Sequence, residues 1–127
     1  MAAFLIAGCG SDEAAVPAEP KTITVQGSLL LLTSDLFWAT DTECTGSEGY
    51  DDIAAGAQVV IRDESGKSIA LGRLEPGEGV SDVECRFPFS IDDVPAGQGI
   101  YSVEVSHRGE IAFEEKDAQE LALTLGS

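Results

Sequence analysis

Gly56-Ala57-Gln58-Val59-Val60-Ile61-Arg62-Asp63-Glu64-Ser65-Gly66-Lys67-Ser68-Ile69-Ala70-Leu71-Gly72-Arg73-Leu74 reads as one β-hairpin. Ala57 to Ile61 is a short, β-branched run of strand length, and Asp63-Glu64-Ser65-Gly66 closes it with residues suited to a tight turn. Ser68 to Leu74 then returns as the partner strand. The same grammar of short strands and frequent turns extends in both directions. Upstream, Thr22-Ile23-Thr24-Val25 alternates, a glycine bulge is expected at Gly27, and Ser28 to Leu32 follows as a strand. Leu36-Phe37-Trp38 is a further short apolar run, and Thr40 to Gly56 reads as a long polar loop. Downstream, Glu75-Pro76-Gly77-Glu78-Gly79 reads as a turn. Glu84 to Ile91 sets Cys85, Phe87, Phe89 and Ile91 on one face. Gly99 to His107 carries Ile100, Val103 and Val105, with Tyr101 set out of phase with the valines. Arg108-Gly109 turns into Glu110 to Phe113, residues 114–120 read as a loop or a single helical turn, and Leu121 to Leu125 alternates to the end. No internal repeat is visible. The expected fold is all-β: a single antiparallel sandwich of about seven strands.

The 127 residues suit one modest domain, and 43% hydrophobic content suffices for a core. No segment reaches the roughly 18 apolar residues that a membrane-spanning helix needs. Twenty-three acidic residues against seven basic ones give a formal charge of −16. That sign repels phosphate backbones, so nucleic acid is not an expected partner. It also repels anionic headgroups, which would hold the domain off a membrane surface. Residues 10–20 are rich in Ala, Pro, Asp and Glu without an apolar period, and read as a flexible tether.

The N-terminus carries a second signal. Ile6-Ala7-Gly8-Cys9 resembles the lipobox of bacterial lipoproteins, with an apolar anchor, two small residues and then cysteine. The resemblance implies a diacylglyceryl group on Cys9 and cleavage just before it. Residues 1–8 would then be the remnant of a signal peptide, residues 9–20 the lipidated tether, and residues 21–127 the sandwich. Eight residues without Lys or Arg are shorter than a working signal, so further residues are expected upstream of Met1. The implied location is the outer face of the cytoplasmic membrane. With Cys9 lipidated, Cys44 and Cys85 are left to pair in an oxidising compartment.

From Gly56 onward the order of features resembles the prealbumin-like sandwich of transthyretin-like and Cna B-type modules. The residues concerned are Gly56-Ala57-Gln58-Val59, Asp63-Glu64-Ser65-Gly66, Val94-Pro95-Ala96-Gly97 and Tyr101-Ser102-Val103-Glu104-Val105. The whole chain is also similar to small lipoproteins of high-GC Gram-positive bacteria, through Cys44-Thr45-Gly46 and Gly49-Tyr50-Asp51-Asp52-Ile53. These resemblances imply binding or presentation more than catalysis, although fold alone assigns no function. The Lys–Asn isopeptide bond of some Cna B-type modules is impossible here, because the chain has no asparagine.

Catalytic motifs are lacking. The only histidine, His107, ends a strand with no Gly-x-Ser-x-Gly element anywhere, and no phosphate-binding loop occurs. No catalytic residue is assigned, and a small carboxylate-based envelope hydrolase stands only as a rival reading. Asp41, Glu43, Glu48, Asp51 and Asp52 could offer hard oxygens to calcium, although without EF-hand spacing. Solvated acids are the alternative, and no other cofactor is expected. Phe37 and Trp38 are either an exposed patch for a protein partner or core anchors. The resulting expectation is a lipid-anchored, extracytoplasmic, non-catalytic binding module, with a calcium-binding surface module as its variant.

Overall fold

The computed structural model describes residues 21–126. The lipobox, Cys9 and the tether lie outside the described residues. Ten strands form in chain order: β1 (Thr22–Leu32), β2 (Phe37–Trp38), β3 (Glu43–Thr45), β4 (Gln58–Arg62), β5 (Ser68–Arg73), β6 (Gly77–Ser81), β7 (Glu84–Pro95), β8 (Ile100–Val105), β9 (Glu110–Glu114) and β10 (Leu121–Gly126). They make two sheets, ordered β10-β1-β7-β6-β3-β2 and β5-β4-β8-β9. The count exceeds seven mainly because β3 and β6 lie in stretches that read as loop and turn, and the apolar run at Phe37–Trp38 adds the short β2.

Alternation places the core between the sheets. Val25, Leu29 and Leu31 of β1 and Cys85, Phe87, Phe89 and Ile91 of β7 are buried against Val59 and Ile61 of β4 and Val103 of β8. Burying a side chain of the size of Phe87 or Ile61 contributes about 2–3 kcal/mol. The quoted hairpin forms as expected, with Asp63 shaping its turn. Asp63 Oδ1 accepts from the Ser65 amide at 2.9 Å, the Ser65 hydroxyl at 2.7 Å and the Lys67 amide at 3.0 Å. These bonds hold its carboxyl below the usual carboxylate range, the Ser65 hydroxyl contributing most.

Three local expectations are corrected. β1 runs unbroken through Gly27, and its irregularity lies between Ile23 and Val25. Gly27 is small because a Cβ there would stand 2.1 Å from the Leu121 carbonyl oxygen, where β10 closes on β1. That closing pair is parallel, Gly27 to Leu32 matching Leu121 to Gly126, whereas the other strand pairs run antiparallel. Tyr101 shares its face with Val103 and Val105 and is 1% exposed, whereas Ile100 points out at 40%. The Tyr101 hydroxyl donates to the Pro95 carbonyl at 2.8 Å, and its ring stacks on Phe113. The stretch 114–120 contains a 3₁₀ turn, Glu115–Asp117, which tucks Ala118 into the core before β10.

Candidate functional site

Residues 33–57 leave β1, build β2 and β3 at the end of the larger sheet, and return to β4 through the acidic loop. Three devices fix this excursion. The first is the Cys44–Cys85 disulfide, with both residues buried and Cα atoms 6.0 Å apart. It joins β3 to β7 although β6 lies between them in the sheet. Such a bridge needs empty space on the inner face of β6, and Gly77 supplies it. A Cβ at Gly77 would stand 2.6 Å from Cys85 Sγ, 2.4 Å from the Cys44 carbonyl oxygen and 2.7 Å from Phe87 Cε2. The run Gly77-Glu78-Gly79 is therefore strand, its glycines set by crowding rather than by turning.

The second device is Trp38 on Gly79. A Cβ at Gly79 would stand 2.5 Å from both Cζ3 and Cη2 of the indole, so the ring lies on bare backbone. Trp38 is still 36% exposed, and Phe37 is 57% exposed. Successive residues of a strand face opposite sides. Trp38 and Phe37 are thus one aromatic residue on each face of a two-residue edge strand rather than a single flat patch.

The third device absorbs Gly49-Tyr50-Asp51-Asp52-Ile53. Arg108, in the turn after β8, forms a two-pronged ion pair with Asp52: Nε donates to Oδ2 at 3.0 Å and Nη2 to Oδ1. Nη2 also donates to the Gly49 carbonyl at 2.7 Å, and the guanidinium sits over the Tyr50 ring, 5.0 Å from its centroid. The Ile53 side chain is buried, and its carbonyl accepts from the Gly46 amide at 2.9 Å and the Thr45 hydroxyl at 3.1 Å. Arg108 bonding holds the Asp52 carboxyl down at about 2, and the same bond raises Arg108. The loop is pinned to the β8–β9 turn of the other sheet.

The structure places the sequence-derived residues as follows. Asp41, Glu43, Glu48, Asp51 and Asp52 do not converge, and among the described residues no three His, Cys, Asp or Glu side chains form a metal-holding group. Asp41, Glu48 and Asp51 are exposed in turns and loop, whereas the Asp52 oxygens are engaged by Arg108. Glu43 lies in β3 directly opposite Glu78 of β6. His107 lies in the β8–β9 turn on the rim of a shallow groove over the outer face of the smaller sheet.

Two residues of the site escape a reading of the sequence. Glu78 sits in a stretch rich in Gly and Pro and passes for turn. Arg108 follows a strand end and passes for a solvated turn residue. A hint for Arg108 existed in its rarity, since only seven basic side chains serve 23 acids.

Comparison with protein-family models, with curated proteins and with solved structures gives no match.

Proposed function

We propose that this chain is a lipid-anchored, extracytoplasmic module that binds a protein partner and carries no catalytic machinery of its own. The buried Cys44–Cys85 disulfide is the observation that carries the reading. The cytosolic thiol pool keeps such pairs reduced, so a structural disulfide favours a compartment beyond the membrane. The pairing leaves Cys9 as the one remaining thiol of the chain's three cysteines, standing where the lipobox resemblance needs it. Within this reading Cys9 carries the diacylglyceryl group, and residues 10–20 are the tether.

We also read the sandwich as prealbumin-like. Support comes from the placement of the four elements: Gly56 to Val59 leads into β4, Asp63 to Gly66 forms the β4–β5 turn, Val94 to Gly97 runs from the end of β7, and Tyr101 to Val105 lies in β8. Binding is favoured over catalysis by the form of the site, a stapled edge with outward aromatics.

Incorporation of labelled palmitate tests the anchor. The chain is expressed behind a full-length leader in a Gram-positive host, alongside Cys9→Ser. Label in the wild type and none in Cys9→Ser is expected. Equal label in both, or in neither, would overturn the anchor.

A further inference from the structure

Among the described residues β2 ends the larger sheet, and its outer edge offers a place for one more strand. The β2–β3 hairpin pairs Phe37 with Thr45 and Trp38 with Cys44, and the Ala39 amide donates to the Glu43 carbonyl at 2.9 Å. Antiparallel ladders alternate hydrogen-bonded and non-hydrogen-bonded pairs. Ala39 and Glu43 are therefore a bonded pair and Trp38 with Cys44 is not. Trp38 accordingly turns its N–H and C=O away from β3, toward the free edge of the sheet. Native edges are commonly blunted by Lys, Pro or a covering loop. β2, at two residues, is blunted by its shortness but carries two exposed aromatics.

Charge identifies what fits there. Residues 33–57 hold six carboxylates (Asp35, Asp41, Glu43, Glu48, Asp51, Asp52) and no Lys, Arg or His. On the outer face, Phe37 lies beside Glu43, which stands directly opposite Glu78 in register. Like charges so placed, with Cβ atoms about 5 Å apart, repel each other. The smaller sheet contains the same arrangement, Glu104 opposite Glu110, and resolves it internally. There Arg62 Nη1 reaches Glu104 at 2.8 Å and Glu110 at 3.7 Å. On the larger sheet the cation serves one acid only: Arg86 of β7 stands directly opposite Glu78 on the same face, outside ion-pair distance, whereas Glu43 has no facing cation among the described residues. An aromatic ring and the unpaired Glu43 carboxylate on one face match a Lys or Arg side chain, by ion pairing and by cation–π contact.

We propose that β2 is the docking edge for a basic, extended polypeptide segment of a partner protein, which adds as a strand against Trp38 and lays a Lys or Arg across Phe37 toward Glu43. Backbone bonds to the edge supply affinity, and alternate side chains supply specificity. The disulfide and the Arg108 clamp hold the edge in place beforehand, which lowers the ordering cost of binding. This inference rests on the binding-module reading but not on the lipid, so its test is independent of Cys9.

The test titrates the full chain with a synthetic peptide of alternating Lys and Val, and follows the emission of Trp38, the only tryptophan. The matching Glu and Val peptide and spermine serve as comparisons. Saturable change with the Lys peptide alone is expected. The Glu43→Gln/Glu78→Gln variant should weaken it about tenfold. Glu114→Gln/Glu120→Gln, with the same change in net charge, should leave it unaltered. The Glu43→Gln/Glu78→Gln variant should also melt at least as high as the wild type, which separates lost binding from lost folding. No emission change at millimolar peptide, equal weakening by both variants, or equally tight spermine binding would each overturn strand addition at β2.

Discussion

Replacing both bridged cysteines, Cys44→Ala/Cys85→Ala, is the perturbation whose cost the structure fixes best. The bridge closes a loop with a sequence separation of 41 residues. That loop contains β4, β5 and β6, so the cross-link restrains segments of both sheets in the unfolded chain. The chain-entropy relation for a loop of this length gives about 4 kcal/mol at 25 °C. The side chains are fully buried, so losing the two sulfurs adds a packing cost of roughly 1 kcal/mol. A domain of about one hundred residues shifts its Tm by roughly 4 °C for each kcal/mol, so a fall of 15–20 °C is expected. Urea denaturation of wild type and double variant, followed by Trp38 emission and by far-UV circular dichroism, measures the change directly. The denaturant slope should rise in the variant, because its unfolded state is freer to expand. A loss below about 1 kcal/mol with an unchanged slope would refute the reasoning, since β3 would then be held without its staple.

Three shorter predictions follow from the same geometry. Gly77→Ala places a methyl group against the Cys44 carbonyl, Cys85 Sγ and Phe87, two of them immovable without shifting strand or staple. Overpacking of this kind costs about 1–3 kcal/mol, to be read from urea melts of the oxidised protein. The Asp52 carboxyl is held at about 2, below its ordinary value of 3.8, chiefly by Arg108. A depressed carboxylate stabilises the fold fully above its unfolded pKa, and that stability fades as pH falls from about 4 toward 2. Because the Asp52 side chain is one-third exposed, solvent screening reduces the effect to about 1 kcal/mol. Arg108→Ala should remove this acid-side slope from a stability–pH profile, and an unchanged slope would contradict the clamp. Millimolar calcium should move the Tm by less than about 1 °C, because the loop carboxylates do not converge and Asp52 serves Arg108. A chelator-reversible rise of several degrees would restore the calcium reading.

The parts of the fold legible in the sequence are those whose signals are local. The β4–β5 hairpin is one, since Ala57 to Ile61 is a β-branched run of strand length and Asp63 organises its own turn within four residues. β7 is another, with four inward side chains at period two. The mispredicted parts depend on distant contacts. Gly77 and Gly79 look like turn residues unless one knows that a disulfide and an indole need their space. The parallel pairing of β1 with β10 joins the two ends of the domain and leaves no local trace. Tyr101 was readable by strict parity with Val103 and Val105, but Ile100 beside it blurs the pattern. At the candidate site, the cysteine count together with the lipobox resemblance at Cys9 predicts the bridge. The exposure of Phe37 and Trp38 could not be read, because an aromatic pair after a strand suits a core as well as an edge. The five acids read as one potential cluster, and folding distributes them among a clamp, strand β3 and solvent.

Intact-mass analysis of the protein purified from the membranes of a Gram-positive host, expressed behind a full-length leader, tests the central claim most directly. The account predicts a chain beginning at Cys9, heavier by a diacylglyceryl group, with the mass deficit of one disulfide and no thiol available to alkylation. A soluble chain with Cys9 unmodified, or one with Cys44 and Cys85 both alkylated without reductant, would contradict it.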